Sequence, residues 1–159
     1  MGKTSIRTVI VFVALATLFI SCDRNVVFDE DKRVDEKGWH ASDALVFNYE
    51  TADTSNTFLC CIDLRNTIDY PFSNIYFSLK TIFPDGSVAA DTNLHFILTE
   101  KDGRPLGRQN GRYIDGRYPF CYFHFPQQGV YQFVVEHAMR DTVLIGIKEV
   151  GISIVRIDK

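Results

Sequence analysis

Thr57–Arg65 reads TFLCCIDLR, and its parity decides the fold. Phe58, Cys60, Ile62 and Leu64 take one set of alternate positions; Thr57, Leu59, Cys61, Asp63 and Arg65 take the other. Successive side chains in a strand point to opposite faces, so this is a strand with one dry side. Ile75–Phe83 repeats the pattern, setting Ile75, Phe77, Leu79 and Phe83 against Tyr76, Ser78 and Lys80, and ends at the turn signal Pro84-Asp85-Gly86. Further strands are expected at Ala44–Glu50, Asn93–Thr99, Phe120–Phe125, Val130–Met139 and Gly151–Ile157. Turn clusters at Lys101-Asp102-Gly103, Asn110-Gly111, Asp115-Gly116 and Gln127-Gln128-Gly129 separate several of them. Beyond Trp39 no stretch of helical length keeps helical spacing. With 13 Phe and 7 Tyr to bury, a single open sheet would leave half its aromatic rings wet. The expectation is all-β: an antiparallel β-sandwich with jelly-roll-like connections over residues 38–159, with a partly closed barrel as the alternative.

The residues before that body read differently. Lys3 and Arg7 precede an uncharged apolar run, Val9 to Ile20, followed by Ser21 and Cys22. A basic start, a short apolar run, a small residue and then Cys is the pattern of a lipoprotein signal peptide over residues 1–21, with the Cys22 thiol as the lipid attachment point. The run is too short for a comfortable membrane span. Each buried methylene contributes roughly 0.8 kcal/mol, so several acyl chains together anchor effectively permanently. Residues 22–37 read as a lipidated charged tether, because 10 of the 15 residues from Asp23 to Lys37 are charged with mixed signs. Its one sizeable apolar group, Val26-Val27-Phe28, could instead dock on the domain or add an edge strand. Removing the leader takes the formal charge from −3 to −5. A mildly acidic body without a basic block has no general electrostatic grip on nucleic acid.

A search for reactive chemistry returns little. His40, His95, His124 and His137 lack the paired spacings of a metal site, so no metal or other cofactor is expected. Parity places His137 on the inner face, where a core histidine is the ordinary reading. Once Cys22 is assigned to lipid, Cys60, Cys61 and Cys121 can form one disulfide at most, and none has C-x-x-C spacing. They read as small half-buried hydrophobes. Cys121 and His124 stand three apart in a strand and so face opposite ways, and there is no G-x-S-x-G elbow. Asp63, Asp69, Asp85, Asp91, Glu100 and Glu136 could supply paired carboxylates, but any chain this size offers such pairs.

The most distinctive exposed segment is Thr99–Pro119, which carries four glycines, four arginines and one lysine against three acids. Arg104, Arg108, Arg112 and Arg117 are its candidate partner-binding residues, suited to carboxylate, phosphate or an acidic surface. Tyr113 and Tyr118 make glycan stacking conceivable. Arg65 and Arg140 are expected to clamp local carboxylates such as Asp63, Asp69 or Asp141.

Several blocks together carry a family likeness: LRNTIDYPFSNIYF at Leu64–Phe77, PDG at Pro84–Gly86, KDGRPLG at Lys101–Gly107, FPQQGVYQF at Phe125–Phe133 and EHAMRDTVLIGIKEVGISI at Glu136–Ile154. With the leader, they resemble the gliding motility lipoprotein family GldH of the Bacteroidota. The resemblance implies a membrane-anchored cell-envelope lipoprotein associated with gliding and the type IX secretion machinery. No dense acidic run follows Cys22, which favours a periplasm-facing domain over one at the cell surface. It implies no enzyme, and partners among envelope proteins of that apparatus. The rival expectation is a carbohydrate-binding or degenerate hydrolase-like sandwich. A concave sheet face with Tyr76, Tyr122 or Tyr131 beside carboxylates would favour glycan, converging carboxylates an enzyme, and a flat apolar patch near Trp39 or the arginine-bearing loop a protein partner.

Overall fold

β4 (Thr57–Thr67), the strand announced by Thr57–Arg65, lies at the centre of a five-stranded sheet in the computed structural model, which describes residues 25–157. The signal peptide and Cys22 lie outside the described residues. β4 is flanked by β11 (Ile147–Ile157) and β8 (Tyr113–Phe123), and beyond them lie β1 (Val26–Arg33) and β7 (Arg108–Asn110), giving the order β1-β11-β4-β8-β7. The facing sheet has the order β3-β9-β5-β6, from β3 (Leu45–Thr51), β9 (Gly129–His137), β5 (Asn74–Ile82) and β6 (Val88–Ile97). β2 (Trp39–His40) and β10 (Val143–Leu144) make a separate two-stranded ribbon. All the pairings are antiparallel, and the described residues contain no helix. With β7 set aside as an appendage of β8, the two orders are those of an eight-stranded jelly roll.

Alternation explains which face each strand buries. Phe58, Cys60, Ile62 and Leu64 of β4, with Val150, Ile152 and Ile154 of β11, point inward against Phe47, Ile75, Phe77, Leu79, Phe133 and Val135 of the other sheet. One end of this core is aromatic: Phe125 packs 5.2 Å from Phe58 and from Tyr49, and 4.8 Å from Tyr131, whose hydroxyl donates to the Gln127 carbonyl at 2.9 Å. Trp39 is buried, with its indole N–H donating to the Asp43 carbonyl at 2.8 Å, and the apolar side chains exposed beside it are Val143 and Ile145, next to Gly38.

The charged stretch that reads as a tether is, from Val26 to Arg33, the edge strand β1, paired with β11 from Val26↔Val155 to Arg33↔Glu149. The sandwich therefore begins at Val26 and not at Gly38. The physical reason is that an edge strand tolerates charge. Phe28 reaches the core and packs with its ring centre 5.3 Å from that of Tyr49, whereas Lys32 and Glu30 pair with each other at 2.8 Å. The exposed segment Thr99–Pro119 turns from loop to strand in its second half: β7 and the start of β8 form a hairpin through Gly111 (φ 61°) and Arg112. The positive φ at the first central residue suits a type II′ turn, which Asn at that place would fill less readily.

The connections sort by end. Short turns at 52–56, 83–87 and 124–128 lie at the end where β1 starts, while the longer connections 34–44, 68–73, 98–107 and 138–146 lie at the other, distal end.

Candidate functional site

The register of the five-stranded sheet stacks its outward side chains into rows that cross β1, β11, β4 and β8. At the β1 start the row is apolar, with Val26 beside Val155, then Leu59, then Tyr122. The next is mixed: Asp29, Ser153, Cys61, Pro119. Then come Asp31, Gly151, Asp63, Arg117, and finally Arg33, Glu149, Arg65, Asp115, with Arg108 of β7 beside Asp115. One outer face thus passes from apolar to densely charged along the strand direction.

Within the charged rows two arginines cross-link the strands. Arg117 places Nε 2.6 Å from one oxygen of Asp63 and Nη2 3.1 Å from the other, a fork on one carboxylate, and Nη2 also reaches Asp29 at 3.0 Å. Arg65 bonds Asp115 at 2.6 Å through Nε and Glu149 at 2.7 Å through Nη1, and Glu149 accepts a further bond from Arg33 at 3.2 Å. The clamp expected of Arg65 is present, but on Asp115 and Glu149 instead of Asp63 or Asp69. β8 and β11 bring those two acids to its sides, a placement that local spacing cannot show. Charge-assisted forks of this kind hold geometry as well as charge.

Arg65, Arg117 and the four acids they hold line an open depression of about 600 Å³. Asp31 lies in it over Gly151, in the space a Cβ at that position would need. Burial pushes the Asp31 carboxyl above its ordinary 3.8, and the neighbouring Asp63, Asp29 and Glu149 charges push the same way against Arg65. Asp29, Asp31 and Asp63 each offer an oxygen within 4.8 Å of the others, the one such group among the described residues with the proximity of metal ligands. The cation placed on two of them here is the Arg117 guanidinium. The sequence reading missed this group because its members come from β1 and β4, far apart in the chain. Carboxylates do converge, as an enzyme reading required, but four of the five are held by arginine as ion-paired acceptors. Among the acids named from sequence, only Asp63 lines this depression.

The four arginines named from sequence do not form one cluster. Arg108 and Arg117 line the depression. Arg104 turns back on Asp102 at 2.8 Å in the 98–107 loop, and Arg112, at the hairpin tip, stands 3.7 Å from Asp69. A second, distal cleft of about 370 Å³ is lined by Tyr70, Phe72, Leu98, Pro105, Gln109 and Ile114 among others. Its walls come largely from the Leu64–Phe77 block and the loop that contains Lys101–Gly107. Burial raises the Tyr70 phenol well above its ordinary range, with Asp141 adding to the effect, and its hydroxyl donates to the Asn74 carbonyl at 3.1 Å.

The remaining candidates separate. Tyr131 is buried, Tyr122 is on the outer face of one sheet, and Tyr76 is on the outer face of the other, stacked on His95 at 4.2 Å, so these rings make no shared platform. Tyr113 and Tyr118 also part, one exposed near the hairpin tip and the other packed on Phe96 at 5.3 Å. Cys60 faces Cys121 across β4 and β8, while Cys61 faces Pro119 on the opposite side, and all three thiols are free. His137 is buried as parity implied, donating from Nε2 to the Trp39 carbonyl at 3.0 Å with its ring 5.1 Å from the indole.

Residues 26–154 match the family model described as GldH lipoprotein, a span that starts at the first residue of β1. The chain is 30% identical to the gliding motility lipoprotein GldH homolog of Christiangramia forsetii over 95% of its length and 96% of that protein's. It is 28% identical to the gliding motility lipoprotein GldH of Flavobacterium johnsoniae, over 91% and 93% of the two chains. Among solved structures, the infectious bursal disease virus VP2 subviral particle aligns with TM-score 0.38 and 8% identity over 82% of this chain and 30% of that one. The chain thus spans under a third of that protein, and the likeness is too slight to carry a function.

Proposed function

The chain belongs to the GldH lipoprotein family, and from that premise we propose that it is a non-catalytic, lipid-anchored envelope protein that works by protein contact within the gliding or type IX secretion apparatus. Cys22 carries the lipid in this reading, and the domain faces the periplasm. The observation that carries the contact role is the polarity of the molecule: the ion-paired rows, the long connections and both clefts concentrate in the half away from the β1 start. A surface of cross-strand charge pairs, already fixed in place, suits recognition of a complementary charged partner, giving specificity and association rate. Arg108 and Arg117 sit within this surface; Arg104 and Arg112 extend it along the distal loops.

Crosslinking in intact membranes, followed by mass spectrometry of the captured chain, tests the reading. An envelope protein crosslinked near Arg108 and the hairpin, and lost on Arg108→Glu, supports it. Capture of no envelope protein, or capture indifferent to Arg108→Glu and Arg112→Glu together, refutes the contact surface. Fractionation of Cys22→Ser tests the anchor separately, with release from the membrane as the expected result.

A further inference from the structure

We propose that the apolar end of the five-stranded sheet's outer face, formed by Val27, Leu59, Tyr122, Val155 and Ile157, rests in the interfacial layer of the bilayer that holds Cys22. The inference rests on the lipid anchor proposed above and adds an orientation to it. Three observations carry it.

The first is reach. Only Asp23, Arg24 and Asn25 separate Cys22 from Val26, and four residues of extended chain span at most about 14 Å. The β1 start therefore cannot leave the membrane surface, because the expected tether is consumed by β1 itself.

The second is composition. At this end Tyr122 is 71% exposed, the highest among the large hydrophobic side chains described, with Val27 at 38% and Ile157 at 37%. The register sets Leu59 between Val155 and Tyr122, with Ile157 two residues on from Val155 in β11 and Val27 at the bulge that follows the Val26–Val155 pair, so these residues are neighbours and are not scattered singly. A tyrosine carries an apolar ring with a polar tip, which suits a headgroup boundary.

The third is the gradient on the same face. The Asp31-Gly151-Asp63-Arg117 row lies about 13 Å further along the strands, four residues from the Val155 row. Charged side chains keep their hydration and do not enter the apolar layer, so the sheet stands with its apolar end down and its charged rows lifted towards a partner.

The test uses the full chain, acylated in the cell and checked by intact mass, carrying Tyr122→Trp. It is reconstituted in vesicles of phosphatidylethanolamine with minor phosphatidylglycerol and brominated acyl chains, and the buried Trp39 signal is subtracted with the unsubstituted protein. Bromine is expected to quench the indole introduced at position 122 several-fold more than one introduced by Tyr76→Trp on the opposite sheet. An acylated chain whose two indoles are quenched equally, or not at all, overturns the orientation while leaving the anchor standing. A chain whose Cys22 carries no acyl group removes the premise and overturns both.

Discussion

Gly151 and Asp31 face each other across the β1 and β11 ladder, and the Asp31 carboxylate fills the space that a side chain at position 151 would require. The Glu30 carbonyl is 2.9 Å from the same point, so the obstruction is partly backbone. Gly151→Val should therefore cost about 1–3 kcal/mol, the range for overpacking. Adding Asp31→Ala should recover only part of it, because the Glu30 carbonyl stays. Urea denaturation of the two single variants and the double variant checks both statements; full recovery would mean that the backbone contact is harmless.

Asp31 itself carries a pH signature. Folding raises its pKa above 3.8, so the native state holds this proton more tightly than the unfolded chain does. Its contribution to stability is present below 3.8 and is lost as pH rises through the higher native value. Asp31→Asn should consequently be more stable than the parent at neutral pH, with the difference closing in acid. Denaturant midpoints across the carboxylate range measure it.

His137 titrates in the opposite sense. Burial lowers its pKa below 6.5, outweighing the Trp39 carbonyl, and its Nδ1 has no hydrogen-bond partner among the described residues. The neutral ring is the native form, so the unfolded chain takes the proton first and stability falls as pH drops below 6.5. His137→Gln retains a donor for the Trp39 carbonyl and should flatten that slope between about pH 7 and pH 5, where an ordinary histidine titrates. Thermal melts on parent and variant decide it, and an unchanged slope would assign the effect elsewhere.

The thiols should react in a set order. Cys60 and Cys121 are cross-strand neighbours, and their interaction raises the Cys60 pKa, with burial adding to it, and lowers that of Cys121. Cys121 is also half-buried, whereas Cys60 and Cys61 are buried. Because the thiolate is the nucleophile, iodoacetamide on the folded protein should label Cys121 first. Cys60 and Cys61 should follow only on unfolding, as read by peptide mass spectrometry over time.

Legibility in the sequence varied with the source of each signal. β4 and β5 were readable because one face of each meets the core at every second residue. The start of β8 was not: its inward positions include Gly116, and its outward ones, Asp115 and Arg117, pair with Arg65 and Asp63 on β4. β1 was obscured in the same way, since an edge strand needs few apolar contacts and its charges are answered by other strands. Arg65 was recognised as a clamp, yet its partners lie 50 and 84 residues away.

Sequence alone determined that most of these segments are strands and which face of each is dry, because alternation is local and the hydrophobic effect acts on each residue. Only the tertiary structure decided which strands are neighbours, and so which side chains share a row. Backbone ladders carry no label for their partner, and the period of two specifies a face without specifying what lies beside it. The apolar-to-charged gradient, the Arg117 fork on Asp63 and the Asp31 seat over Gly151 all belong to that second class.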